Sequence, residues 1–225
     1  MRLMHFISKE CLRLKKCKCR FDNFDVGMKF NDILLDEQLK IKTTGRDDSR
    51  ANTFNYPYEP TDYRVLQRLA HSGLINKKNL LIDYGCGKGR VSFYMSFETG
   101  CKSIGVEYDE RLYEKANDNL RSYVKPYNVE FNCINAVEFS VPSDADRFYF
   151  FNPFSVELLK SVLSNIKESY YDKPRELVLF FYYPSDEYVS ALTTDVELDF
   201  VDEIDCSDLF DSSDKRERIL IFGMT

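Results

Sequence analysis

Residues 80–90 read Leu80-Leu81-Ile82-Asp83-Tyr84-Gly85-Cys86-Gly87-Lys88-Gly89-Arg90. A short apolar run closes on an acid and an aromatic, and three glycines then alternate. The stretch from Arg90 to Thr99 carries Val91, Tyr94 and Met95 on one side before Gly100 stops it. This is the pattern of a strand, a tight loop and a helix. Glycine belongs where the backbone turns through positive φ, or where a ligand lies against the main chain. The helix behind the loop points its free N–H groups and partial positive charge back into the crevice. Asp83, at the strand end, is unsuited to a phosphate but suits a cationic amino-acid headgroup.

Outward from that loop, strands and helices alternate. Ser103 to Glu107 is the next expected strand, and Glu110 to Ser122 a helix with Leu112, Ala116 and Leu120 four apart. Val129 to Cys133 and Phe148 to Phe151 read as strands, and Ser155 is expected to cap a helix running through Ile166. Leu177 to Tyr182 is an apolar strand, Ser185 to Thr193 a short helix, and Val196 to Ile204 and Arg218 to Phe222 two closing strands. Ahead of the loop, a helix is expected from Thr61 or Asp62 to the stop at Gly73. Continuous apolar strands separated by helices predict a doubly wound α/β fold: a mostly parallel, seven-stranded sheet covered on both faces, with an antiparallel C-terminal edge strand. That domain is placed at residues 61–225. Residues 1–60 read as a basic, partly irregular extension, with a helical stripe at Leu3, Phe6, Ile7, Cys11 and Leu14 and a loop from Thr43 to Pro60.

The chain has 225 residues, 44% hydrophobic and 15% aromatic, which is enough apolar surface for a core and excludes a disordered chain. No window approaches the ~18 apolar residues of a membrane span, and the N-terminus lacks the pattern of a secretory signal. Seven irregularly spaced cysteines read as free thiols in a reducing cytoplasm, the expected location. Cys11, Cys17 and Cys19 lack a fourth ligand at zinc-like spacing, and no metal is expected. The net charge is −6, yet the first 20 residues hold seven Lys or Arg against Glu10, so the remainder is strongly acidic. An acidic body offers no basic track, so nucleic acid ranks behind protein or small molecule as a partner. Asp202, Glu203, Asp205, Asp208, Asp211 and Asp214 crowd the last connection, which reads as a solvated hairpin, with docking of a basic substrate as the sharper alternative.

Two cofactors compete for the crevice. A dinucleotide-binding loop reads Gly-x-Gly-x-x-Gly, and Arg90 stands where its third glycine belongs. The pattern Asp-x-Gly-x-Gly-x-Gly instead resembles motif one of the class I S-adenosylmethionine-dependent methyltransferases. Ile104-Gly105-Val106-Glu107 resembles that superfamily's second motif, and Cys133-Ile134-Asn135-Ala136 falls where an Asp-Ala pair lies near the adenine. Tyr58-Glu59-Pro60-Thr61 looks like a segment of uncharacterised bacterial members that carry a similar Asn-Pro-Phe. The resemblance runs from about residue 55 to the end. It implies S-adenosylmethionine held by Tyr58, Thr61, Asp83, Gly85, Gly87, Gly89, Glu107, Asn135, Ala136 and Asn152, with Glu107 taking two ribose hydroxyls.

Phe151-Asn152-Pro153-Phe154 partly resembles the Asn-Pro-Pro-Tyr box of amine methyltransferases, in which the Asn accepts hydrogen bonds from the target NH2. The resemblance therefore implies methyl transfer to an amine nitrogen of a protein or small molecule, with Asn152 as the catalytic residue. Such a reaction needs alignment more than acid–base machinery, and with only His5 and His71 a His-centred mechanism is not expected. An NAD(P)-dependent oxidoreductase and a non-catalytic S-adenosylmethionine-binding module remain the alternatives.

Overall fold

In a computed structural model, residues 32–47, 58–211 and 214–224 are described. The N-terminal helical stripe, the basic arm and the Cys11, Cys17 and Cys19 group lie outside them. In chain order the elements are α1 (Asp32–Leu39), α2 (Tyr63–His71), β1 (Leu80–Tyr84), α3 (Arg90–Thr99), β2 (Lys102–Glu107), α4 (Glu110–Ser122) and β3 (Val129–Cys133). There follow β4 (Arg147–Phe150), α5 (Val156–Asp172), β5 (Leu177–Tyr182), α6 (Asp186–Thr194), β6 (Asp199–Asp205) and β7 (Arg218–Met224).

The seven strands form one sheet in the order β3-β2-β1-β4-β5-β7-β6. Strands β1 to β5 pair in parallel, and β7 runs antiparallel to both its neighbours. The sheet is mixed and mostly parallel, as the alternation predicts. The last strand of the chain slots between β5 and β6, which leaves β6 at the rim. Composition explains this order. β7 buries Ile219, Leu220, Ile221 and Phe222, whereas β6 carries Asp199, Asp202, Glu203 and Asp205, charges that an edge tolerates and an interior strand does not.

Register then sorts the side chains onto two faces. Tyr84, Phe150 and Phe181 are cross-strand neighbours and stack with ring centroids 5.1 and 4.8 Å apart. The preceding residues, Asp83, Tyr149 and Phe180, face the opposite layer, where Tyr149 and Phe180 pack with side chains of α2 and α3. Strand order reverses between β1 and β4, so their carboxyl ends diverge into a crevice at the topological switch point.

Helix α2 starts at Tyr63, with the Asp62 carboxylate accepting from the Arg64 N–H at 2.8 Å. Ser185 caps α6 through the Tyr188 N–H. Ser155 is a correction: it stands at the N-cap of α5, yet its hydroxyl makes no capping bond. Val196 is exposed and precedes the strand expected to begin there, since β6 starts at Asp199. The sequence reading also missed α1, inside the stretch taken as irregular. Residues of α1 and of the segment after it meet the Arg90 guanidinium, which is only 2% exposed. Arg90 donates to Thr43 Oγ1 at 2.7 Å, to Thr44 Oγ1 at 2.9 Å, to the Thr61 carbonyl at 3.1 Å and to the Asp32 carboxylate. It also lies 4.3 Å from the Tyr63 ring centroid. The buried Asp36 accepts from Tyr63 and from Thr43 at 2.6 and 2.7 Å. A charge this deeply buried is tolerated because the bonds and counter-charges around it are so complete.

Candidate cofactor cleft

The crevice at the ends of β1, β2 and β4 is built around the glycine loop. The Gly85 and Cys86 N–H groups both donate to the Val106 carbonyl, at 2.9 and 3.1 Å, folding the loop back onto β2. Gly87, at φ +55°, has the Tyr58 ring against it: a Cβ there would lie 2.1 Å from that ring. At Gly89, φ +88°, a Cβ would lie 2.5 Å from the Phe131 ring, so close helix–sheet packing forbids a side chain. Glu107 then locks the loop to the next turn. One carboxylate oxygen accepts from the Gly87 N–H and the other from the Asp109 N–H, each at 2.9 Å.

Two acids define the electrostatics. Asp83 is 2% exposed and accepts from the Ser92 hydroxyl at 3.0 Å; burial pushes its carboxyl up to about 7. Glu107 is 6% exposed, and burial raises it too, against the opposing pull of its backbone N–H donors. Neither forms an ion pair with a Lys or Arg among the described residues. Two buried carboxylates facing a cleft without a counter-cation favour a cation and hydroxyl donors, and oppose a pyrophosphate.

Asp83, Gly85, Glu107, Asn135, Ala136, Tyr58 and Thr61 all line this cleft. Thr61 meets the Tyr149 hydroxyl at 3.1 Å, directly above the strand that carries Asp83's neighbour. Tyr58 donates to the Thr43 carbonyl at 2.7 Å. Asn135 is exposed, and its side-chain oxygen takes the Val137 N–H at 3.2 Å, leaving the NH2 toward solvent or ligand. Gly87 and Gly89 shape the loop from behind rather than line the cleft.

Asn152 is not brought into the cleft. It sits at φ +38°, donates to the Tyr183 carbonyl and accepts from the Ser185 N–H at 3.2 Å. It lines a neighbouring depression that shares Glu59, Pro60 and Phe151 with the cleft. From the Phe151-Asn152-Pro153-Phe154 run, Phe151, Pro153 and Phe154 line the cleft, and a Cβ on Gly85 would lie 2.4 Å from the Pro153 ring. The sequence reading missed Arg90, which lines it too. Arg90 gave no local sign.

No family model matches the chain. A stretch of 137 residues, 54% of the chain, is 31% identical to the H3 lysine-79-specific histone-lysine N-methyltransferase of Dictyostelium discoideum. The matched stretch spans 7% of that protein's length. Among solved structures, the mitomycin 7-O-methyltransferase MmcR superposes with a TM-score of 0.56 at 13% identity, covering 72% of this chain and 53% of that one. A TehB-like S-adenosylmethionine-dependent methyltransferase from Corynebacterium glutamicum superposes with a TM-score of 0.52 at 16% identity, covering 71% and 88%. The fold is that of the Rossmann-like methyltransferases. In the methyltransferase fold of this chain, the cleft at the switch point and the β7 insertion are both in place. No described helix is long and apolar enough to cross a membrane, and the described cysteines, Cys86, Cys101, Cys133 and Cys206, are free thiols. The described residues hold no cluster suited to a metal.

Proposed function

We propose that this chain is an S-adenosylmethionine-dependent methyltransferase that acts on an amine nitrogen of a protein or a small molecule. One observation carries the reading: Asp83 and Glu107 are buried carboxylates, without a Lys or Arg ion-pair partner among the described residues, at the switch point of the sheet. A pyrophosphate would meet two acids there and no Lys or Arg paired with them among the described residues. A ligand with an ammonium or sulfonium and a ribose diol would neutralise one carboxylate and hydrogen-bond to the other. The TehB-like structure is that of an S-adenosylmethionine-dependent methyltransferase and the Dictyostelium relative is a lysine N-methyltransferase, which supports the same reading.

In this reading Asp83 and the Gly85 turn hold the amino-acid end, Glu107 the ribose hydroxyls, and Asn135 with Ala136 the adenine edge. Tyr58 and Thr61 close the cleft from above, anchored through Thr43 and Tyr149. When bound, S-adenosylmethionine supplies an electrophilic methyl that needs no further activation. The protein's work is to align the acceptor nitrogen with it, an effect that can contribute ~7–11 kcal/mol. Asn152 serves as a positioning residue, fixing the Tyr183–Ser185 turn beside Phe151. The working domain starts near residue 32, because the Arg90 network makes α1 and residues 41–47 part of the same body.

The test is transfer of label from methyl-labelled donor to fractionated protein, metabolite and RNA pools. Label in the protein or metabolite pool that is stable to base and released as a methylated amine supports the reading. Label found only in RNA or only as base-labile ester contradicts it.

A further inference from the structure

Beside the cleft lies a depression walled by Phe151, Tyr182, Tyr183 and Phe210, with Asn152 and Ser185 at one side. It shares Phe151, Glu59 and Pro60 with the cofactor cleft, so the two spaces adjoin at those residues. The rings are clustered: Phe151 lies 4.8 Å from Tyr182 and 6.3 Å from Tyr183. Four acids also face it, but they are not equivalent. Asp32 is paired with Arg90, Asp62 with Arg64 at 2.7 Å, and Glu59 with Arg46 at 3.3 Å. Glu217 differs. It forms no ion pair with a Lys or Arg among the described residues, and its side-chain bond is to a neutral group, the Tyr182 hydroxyl, which donates to it at 2.7 Å.

We propose that the methyl acceptor docks in this depression as an alkylammonium cation, that Glu217 is the acid that receives it, and that the ammonium passes one proton through that carboxylate to solvent, so that the neutral nitrogen attacks the methyl carbon and the S–CH3 electron pair leaves with S-adenosylhomocysteine. The inference rests on the methyltransferase reading and names its substrate class. Three of the acids are each held by a guanidinium, whereas Glu217 is held only by a phenol. The Phe210 and Tyr183 rings already carry the Arg64 and Arg216 guanidinium groups, 4.9 and 4.4 Å from their centroids, which leaves Phe151 and Tyr182 as the rings that would favour a ligand cation, by ~0.5–2 kcal/mol each. A neutral or anionic acceptor would leave that carboxylate facing it uncompensated. The remaining charges near Glu217 are Asp62 and Asp214, which reinforce its field, and Arg216, which opposes it. Arg216 is itself held by Asp214 at 2.7 Å. Burial also keeps Glu217 above the usual carboxylate range, although the Tyr182 hydroxyl pulls it back down. It is not locked in an ion pair with a Lys or Arg among the described residues.

The experiment uses n-butylamine, an ammonium at pH 7.5, and n-butanol as its neutral counterpart, titrated into the full chain by amide NMR with and without S-adenosylhomocysteine. Butylammonium is expected to shift the amides of Phe151, Tyr182, Tyr183 and Ser185, and butanol at the same concentration is not. Glu217→Gln is expected to weaken butylammonium about tenfold or more and to leave S-adenosylhomocysteine affinity unchanged. Equal response to the two probes, shifts located elsewhere, or an E217Q protein that binds butylammonium like the wild type overturns the proposal. The two-probe comparison on the wild type stands even where E217Q fails to fold. Failure of S-adenosylhomocysteine to bind at all is a separate result and counts against the cofactor reading.

Discussion

Asp83→Asn tests the electrostatic reasoning with a sign as well as a size. Burial holds the Asp83 carboxyl at about 7 in the folded chain, against ~3.9 for an unfolded one. Below the unfolded value both states are protonated, and the group costs nothing. As pH rises toward 7 the unfolded chain releases its proton while the folded chain keeps it, so stability falls by up to ~1.4 kcal/mol per pH unit. Above 7 the loss is complete, and the difference amounts to at most ~4 kcal/mol. An Asn at this position keeps an acceptor for the Ser92 hydroxyl and carries no charge. D83N is therefore expected to exceed the wild type by only ~1 kcal/mol near pH 4.5 and by up to ~4 kcal/mol at pH 8, at ~2–4 °C of melting temperature per kcal/mol for a chain this size. The same substitution removes the partner for a cationic headgroup. Wild-type affinity for S-adenosylhomocysteine should climb with pH up to about 7, because the bound ammonium favours the ionised acid, whereas D83N affinity should be weak and flat. Thermal denaturation at the two pH values, with and without ligand, reads both effects. A D83N protein with wild-type pH dependence and undiminished affinity refutes the argument.

Glu107→Gln keeps one acceptor oxygen for two backbone N–H donors, so a cost of ~1–3 kcal/mol in stability is expected together with weaker cofactor binding, measured by denaturation and calorimetry. An affinity equal to that of the wild type would move the ribose contact elsewhere. Arg90→Leu strips a buried cation from Asp32, Thr43 and Thr44 and should cost ~3–5 kcal/mol, with residues 32–47 becoming the first site of limited proteolysis. An unchanged cleavage pattern would show that α1 is held by other means. Asn152→Ala removes the two bonds to the Tyr183–Ser185 turn and should lower the melting temperature by the equivalent of ~1–3 kcal/mol. A loss of turnover with an unchanged melting temperature would instead put that amide on the acceptor.

What the sequence made legible follows from where its signals are local. β1 and β5 are largely apolar runs, and the parallel sheet follows from strands like these alternating with helices. Asp83, the three glycines and Glu107 lie at strand ends fixed by the same pattern, and the structure gathers Asp83, Gly85 and Glu107 into one cleft. The Arg90 network was illegible because its partners, Thr43 and Asp32, are 47 and 58 residues away, in a stretch without apolar periodicity. The insertion of β7 inside β6 depends on the relative burial of two strands, which neither strand's own alternation encodes. Asn152 matched a short motif, and its amide also bonds to Tyr183 and Ser185, more than thirty residues further on, contacts that no motif records. Glu217 was passed over within an acidic stretch; only the pairing of the other acids sets it apart.

The central claim is that the cleft of Asp83 and Glu107 takes a sulfonium nucleoside and not a dinucleotide. Calorimetric titration of the full chain with S-adenosylmethionine, S-adenosylhomocysteine and NAD measures it directly. The account predicts one site for each of the first two ligands, lost in the Glu107→Ala variant, and no heat of binding with NAD. Binding of NAD, with no response to either sulfur nucleoside, contradicts it.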